Sequence, residues 1–196
     1  SFQVRLVDIV LVDSAARVDT IRERGFIIEP IEFLAERIGG EEVEIKYVHP
    51  NQTSLELTNH LSVYNYMVGN TDWSIPGTHN IKMVRSEPGA SPMVIPYDWS
   101  GIINTPYASP DPTLGIKSVQ QRVYRGFCRP AEELQKTFDR YYEAKDEFYK
   151  LFDDPELLDE RTRKSNVRYL DSFFEIMEDD KKRKRVFLDN CRTAAK

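Results

Sequence analysis

The sequence predicts an α+β fold, and three observations carry that prediction. The first thirty residues are rich in β-branched residues in two runs, Phe2 to Asp13 and Gly25 to Glu29. The last third carries its apolar residues at helical spacing instead. Between them, from Gly69 to Pro112, proline and glycine become dense around two further strand-like runs. Of 196 residues, 40% are hydrophobic and 30% charged, enough apolar material to bury a core and too much for a chain disordered throughout.

Phe2 to Asp13 reads as a strand, and Gly25 to Glu29, closed by Pro30, as its hairpin partner across a loop of roughly ten residues. Ile31, Leu34, Ala35 and Ile38 follow a helical spacing that Gly39 and Gly40 stop. Val43 to Val48 reads either as a short strand or as an irregular connection. Thr53 and Glu56 then stand at capping-box spacing before a helix. Its Leu57, Leu61, Tyr64 and Val68 recur at 4-3-4 spacing, Met67 widens the stripe, and Gly69 ends it, which predicts a core helix. Ile81–Val84 and Met93–Ile95 flank the Pro88-Gly89 pair and predict a second β-hairpin.

From Glu132 to Phe152, Leu134, Phe138, Tyr141, Tyr142, Phe148 and Phe152 fall on one side of a helix. Tyr169, Leu170, Phe173, Phe174 and Met177 form a second stripe, and Val186, Phe187 and Cys191 a shorter one. Pro130 and Pro155 stand where helices would start. The expected architecture is therefore two β-hairpins around a core helix, followed by a helical C-terminal portion.

Composition also excludes function classes. The net charge of −5 and a pI near 5.4 speak against a nucleic-acid binder that relies on a broad basic face. The longest apolar run, Ile9 to Val12, falls far short of the roughly 20 residues of a membrane span. Nothing at the start reads as a secretory signal. Two cysteines exclude a disulfide-dense scaffold and a four-cysteine zinc site. Cys128 and Cys191 are too far apart in sequence to be called a pair, and buried free thiols are the plainest reading. His49 and His60 read as structural or surface residues. The run Asp179 to Arg185 reads as a solvated helix face rather than an anion patch. Asn51-Gln52-Thr53 matches a glycosylation acceptor, which has meaning only in a source that secretes glycoproteins.

The chemistry concentrates in Gly69-Asn-Thr-Asp72-Trp-Ser-Ile-Pro-Gly-Thr-His79-Asn80 and Ile95-Pro-Tyr-Asp98-Trp-Ser-Gly101. One acid sits in a loop after the core helix, Asn80 opens the next strand, and Asp98 ends its partner. In a hairpin these ends lie side by side, so Asn80 and Asp98 are expected as neighbours beneath the Asp72 loop. Two carboxylates and an amide oxygen are hard donors suited to Mg²⁺ or Mn²⁺, which recruit phosphate to their remaining positions. The same parts recur in kinases. Trp73 and Trp99 flank the acids, where packing is a plainer role than walling a pocket.

These motifs resemble the C-terminal lobe of the CotH-type atypical kinases, distant relatives of HipA and of eukaryotic protein kinases, and more closely a group of uncharacterised bacterial CotH-like proteins. The resemblance runs through most of the chain. Residues 1–48 look like the end of an N-lobe sheet with its hinge, and residues 49–196 like a kinase C-lobe. Within the latter, 69–101 would be the catalytic-loop region and 118–196 the helical part. Arg125-Gly-Phe-Cys128 looks like the end of a following helix. The resemblance implies ATP and Mg²⁺ or Mn²⁺ as cofactors, with Asp72 as catalytic Asp and His79 orienting the loop or touching phosphate. Asn80 and Asp98 would be metal ligands, and Glu29 would lie beside the adenine.

The second motif departs from the family in offering one acid where relatives carry two, and the family's phosphate-contacting Lys would precede Ser1. The implied activity is transfer of a nucleotide phosphate to a hydroxyl acceptor. A catalytically inactive, kinase-shaped interaction or envelope module and a metal-dependent phosphohydrolase are the alternatives. The family also implies an exported parent protein in which Cys128 bonds a cysteine N-terminal to this chain.

Overall fold

Residues 2–86, 89–94 and 99–193 are described by a computed structural model, in which two small antiparallel sheets and six helices make an α+β arrangement. Strands β1 (Val4–Leu11) and β2 (Ile21–Ile28) pair only with each other, from Val4 opposite Ile28 to Leu11 opposite Ile21. Helix α1 (Ile31–Arg37) follows directly, with Pro30 as its N-cap. Strand β3 is only Glu41–Glu42. It pairs with β4 (Ile81–Ser86), which in turn pairs with β5 (Gly89–Val94) in the order β3-β4-β5. Val43 to Val48 is thus the irregular connection of the two readings. The hairpin register sets Ile81 opposite Val94, so the start of β4 and the end of β5 do lie side by side.

The central helix α2 (Leu55–Val68) is buried, on a face that keeps Met67 and Val68 of the predicted stripe but not Leu57 and Tyr64. Leu57 is 46% exposed and Tyr64 36%, while Thr58, Asn59, Ser62 and Asn65 are buried. Ser62 and Asn65 go inside because the helix satisfies them itself, and the Thr58 hydroxyl pairs with that of Thr53. Ser62 donates to the Thr58 carbonyl at 2.7 Å and Asn65 Nδ2 to the Leu61 carbonyl at 2.8 Å. Counting apolar residues alone therefore misses the polar part of the buried face. The cap also moves by one residue: Ser54 is the N-cap, accepting from the Leu57 N–H, whereas the Thr53 hydroxyl serves Pro50 and Thr58. Gly69 ends the helix in the left-handed region, at φ 71°.

The expected long helix over 132–152 breaks at Ala144 into α3 (Ala131–Glu143) and α4 (Lys145–Lys150). Pro155 starts no helix. It lies in a turn, and α5 (Glu160–Glu178) begins after Asp159, whose carboxylate accepts from the Thr162 N–H at 2.9 Å. Helix α6 (Asp180–Lys184) is the exposed charge run, followed by a π turn over Arg185–Asp189. The main core joins Val63, Tyr66 and Met67 of α2 to Phe138 of α3, Phe173 and Phe174 of α5, and Phe187. Arg122 ties this core to the end of α2, donating to the Met67 carbonyl at 3.1 Å while its guanidinium stacks 3.7 Å from the Tyr169 ring.

Two expectations fail by topology. The first hairpin does not wrap the core helix: Val4, Leu6, Val10, Phe26 and Ile27 are all exposed, and its anchors are Phe2 against Leu34 and Val84, and Arg24 donating to the Glu156 carbonyl at 2.6 Å. Arg125 to Cys128 is not a helix end. It is extended, with Phe127 bridged in parallel to Arg192, and beside that bridge Cys128 and Cys191 form a disulfide with Cα atoms 4.9 Å apart. The cysteines are therefore neither free thiols nor, for Cys128, bonded to a residue outside this chain.

Candidate functional site

The site begins where α2 ends. After Gly69, the Asn70 side chain accepts from the Asp72 N–H at 3.0 Å, and its own Nδ2 donates to Asn65 Oδ1 at 3.0 Å. Asn70 is 1% exposed, so this pair is a fixed peg from the helix into the loop. Trp73 packs beneath with Ile75, Ile81 and Met83, and its indole N–H donates to the Asn70 carbonyl at 3.2 Å. Trp73 is therefore core packing, and it also lines a cavity beside Asp72.

From Ser74 to His79 the chain turns back on itself. Ser74 and His79 exchange both backbone hydrogen bonds at 3.0 Å. Thr78 and Asn80 sit at φ 46° and 50°, an uncommon conformation for residues other than glycine. That turn brings His79 and Asn80 onto Asp72. His79 Nε2 lies 2.9 Å from Asp72 Oδ1, and Asn80 Nδ2 donates to Asp72 Oδ2 at 2.7 Å and to the Asp72 carbonyl at 2.9 Å. Three of the predicted site residues thus form one cluster. Asp72 retains 34% side-chain exposure and His79 60%, so the carboxylate is held by protein on one side and open on the other.

The open side is a cavity of about 210 Å³ whose walls include Asp72, His79, Trp99, Asp111 and Arg125. Trp99 therefore does wall a pocket, against its plainer reading. The second motif reaches the first through a glycine contact: the Gly101 N–H donates to the Gly69 carbonyl at 3.1 Å and Ile102 to Val68 at 3.0 Å. A Cβ on Gly101 would fall 2.5 Å from the Val119 carbonyl oxygen, so only glycine allows this approach.

Asp98 lies outside the described residues. Asn80 offers one hard donor: its nitrogen is spent on Asp72, which leaves the amide oxygen for a cation. Among the described residues no group of three or more His, Cys, Asp or Glu side chains is placed to hold a metal.

Glu29 is elsewhere. Arg37 grips its carboxylate with two hydrogen bonds, 2.9 and 2.8 Å, and the Gln3 N–H adds a third at 3.0 Å. The Arg37 guanidinium, then the Gln3 N–H, pull its pKa from an ordinary 4.5 down to about 2. Its side chain is thus a clamp across the base of the hairpin. Lys82 is likewise committed, to Glu42 at 2.8 Å.

Sequence reading missed three residues of the site. Asn70 could have been suspected from its place beside a glycine helix cap. Asp111 and Arg125 gave no local signal, because only the fold brings them to Asp72. No family model, curated protein or solved structure matches the chain.

Proposed function

We propose that this chain carries the acceptor-binding and metal-binding part of a metal-dependent phosphotransferase that moves the terminal phosphate of ATP to a hydroxyl. The observation that carries the reading is Asp72, fixed by Asn70, His79 and Asn80 and still open to a cavity. In the reaction the acceptor oxygen forms a bond to the terminal phosphorus as the bond to the bridging oxygen breaks. The acceptor proton goes to the Asp72 carboxylate, and the nucleoside diphosphate leaves. Asn80 Oδ1 and the Asp98 carboxylate would hold Mg²⁺ or Mn²⁺, which supplies charge neutralisation on the phosphates when bound. His79 and Asn80 are positioning residues that set the direction of the Asp72 carboxylate. The disulfide supports an exported parent protein, since such bonds persist in oxidising compartments.

One observation favours a second reading. Both Asp72 oxygens already meet protein partners, as they would in a catalytically inactive module that keeps the cluster for structure.

Thermal unfolding with Mn²⁺, ATP or both separates the two. Saturation at a hundred times the dissociation constant adds about 2.7 kcal/mol, a rise of about 5–10 °C at this size. The phosphotransferase gives a joint metal–nucleotide shift that Asp98→Asn abolishes and Asp72→Asn keeps, because Asp72 is a base and not a ligand. No shift under any condition makes the inactive module the better account.

A further inference from the structure

Arg125 is the one Lys or Arg among the described residues that line the site cavity. It lines the cavity together with Asp72, its Nε is buried without a hydrogen-bond partner, and it forms no ion pair among the described residues. The two acids on the same cavity attract Arg125 electrostatically, but their oxygens hydrogen-bond to other groups. Asp72 accepts from Asn80 and faces His79, while Asp111 accepts from the Thr113 N–H at 2.8 Å and the Thr113 hydroxyl at 2.7 Å. Burial, then repulsion from Arg192, work against the charge on Arg125, while Asp111 and Asp72 favour it. A guanidinium cannot escape by giving up its proton, which favours an anion seated beside it in the cavity.

We infer that the cavity beside Asp72 is an oxyanion site in which Arg125 takes a phosphate group. The planar fork of arginine matches phosphate oxygens two at a time. Ser74 already accepts from the Gly77 N–H at 3.1 Å, which leaves its own O–H to donate into the cavity, and the Ser109 hydroxyl stands on the same wall. At about 210 Å³ the cavity is below the roughly 300 Å³ where pockets for drug-sized molecules begin, so it receives the end group of a larger molecule. The site deepens the phosphotransfer reading and rests on it for phosphate over carboxylate. The group is then either the terminal phosphate of the nucleotide or a phosphate on the acceptor.

The chain has two tryptophans, Trp73 and Trp99, and both line this cavity, so their emission reports binding without any label or activity. Titration with orthophosphate, without metal or nucleotide, changes that emission in the wild type. Arg125→Gln weakens the affinity by about ten- to a hundredfold, and Arg125→Lys by less, since the charge stays and the fork is lost. An unchanged wild-type emission, or equal affinity in Arg125→Gln, overturns the site. Should Arg125→Gln not fold, Asp72→Asn replaces it: removing a neighbouring negative charge tightens phosphate several-fold, and no tightening overturns the site.

Tripolyphosphate and phosphoserine distinguish the sources, the tighter Arg125-dependent one being the bearer of the group. Phosphate binding without a joint Mn²⁺–ATP shift sinks phosphotransfer and leaves this site standing. The opposite pattern sinks this site alone.

Discussion

At the scale of single residues, the cluster depends on Asn70 as much as on the residues it positions. Replacing it by Ala leaves the Asp72 N–H and Asn65 Oδ1 unpaired in the interior. Each such group costs about 1–3 kcal/mol, so Asn70→Ala is expected to lose about 2–4 kcal/mol in urea unfolding. A loss below about 1 kcal/mol would show that water replaces the peg. Glu29 makes a different prediction. Its folded pKa, about 2, lies below its ordinary 4.5, so it contributes stability that is fully present above pH 4.5 and disappears as pH falls toward 2. In Glu29→Gln the unfolding midpoint should therefore fall less over that window than in the wild type. Parallel acid limbs would mean that the Arg37 clamp contributes nothing to folding.

At the scale of elements, the two ends of the chain differ in what their apolar residues do. Phe173 on α5 is fully buried among Tyr66, Tyr141 and Phe174, whereas Phe26 on β2 is 61% exposed. Phe173→Ala should cost about 3–5 kcal/mol, and Phe26→Ala no more than about 0.5. A comparable cost for both, in the same chemical denaturation series, would mean that the β1–β2 hairpin packs on the body. Two strands alone are marginal in water, so β1 and β2 should also show the fastest amide exchange among the strands. The β-branched run that reads clearly as strand from Phe2 to Asp13 says nothing about what covers it. Helix α2 shows the reverse difficulty: it was legible as a core helix, yet its buried face carries Thr58, Ser62 and Asn65. Periodicity of apolar residues cannot see a polar face that hydrogen-bonds to its own backbone.

For the whole molecule, the disulfide is a covalent long-range constraint. It closes a loop across a sequence separation of 63 residues, from the segment bearing Arg125 to the C-terminal turn. Chain-entropy arguments put its contribution at about 4 kcal/mol, so Cys128→Ser with Cys191→Ser should lower the melting temperature by about 10 °C. The wild type under full reduction should fall to the same value. If reduction leaves the melting temperature unchanged, the bond constrains an already rigid structure and contributes little.

The sequence by itself determined the local elements: strands where β-branched residues cluster, helices where apolar residues recur every three to four positions, a stop at Gly69. It also placed Asn80 beneath the Asp72 loop, whereas the turn between Ser74 and His79 that brings His79 onto Asp72 came from the structure. Only the tertiary structure decided that Asp111, Trp99 and Arg125 join Asp72 around one cavity, that Cys128 pairs with Cys191, and that the first hairpin stands apart from the core helix. The physical reason is range. Backbone propensity and caps act over a few residues, whereas these contacts join segments tens of residues apart, and their energy appears only once the core of α2, α3 and α5 has brought them together.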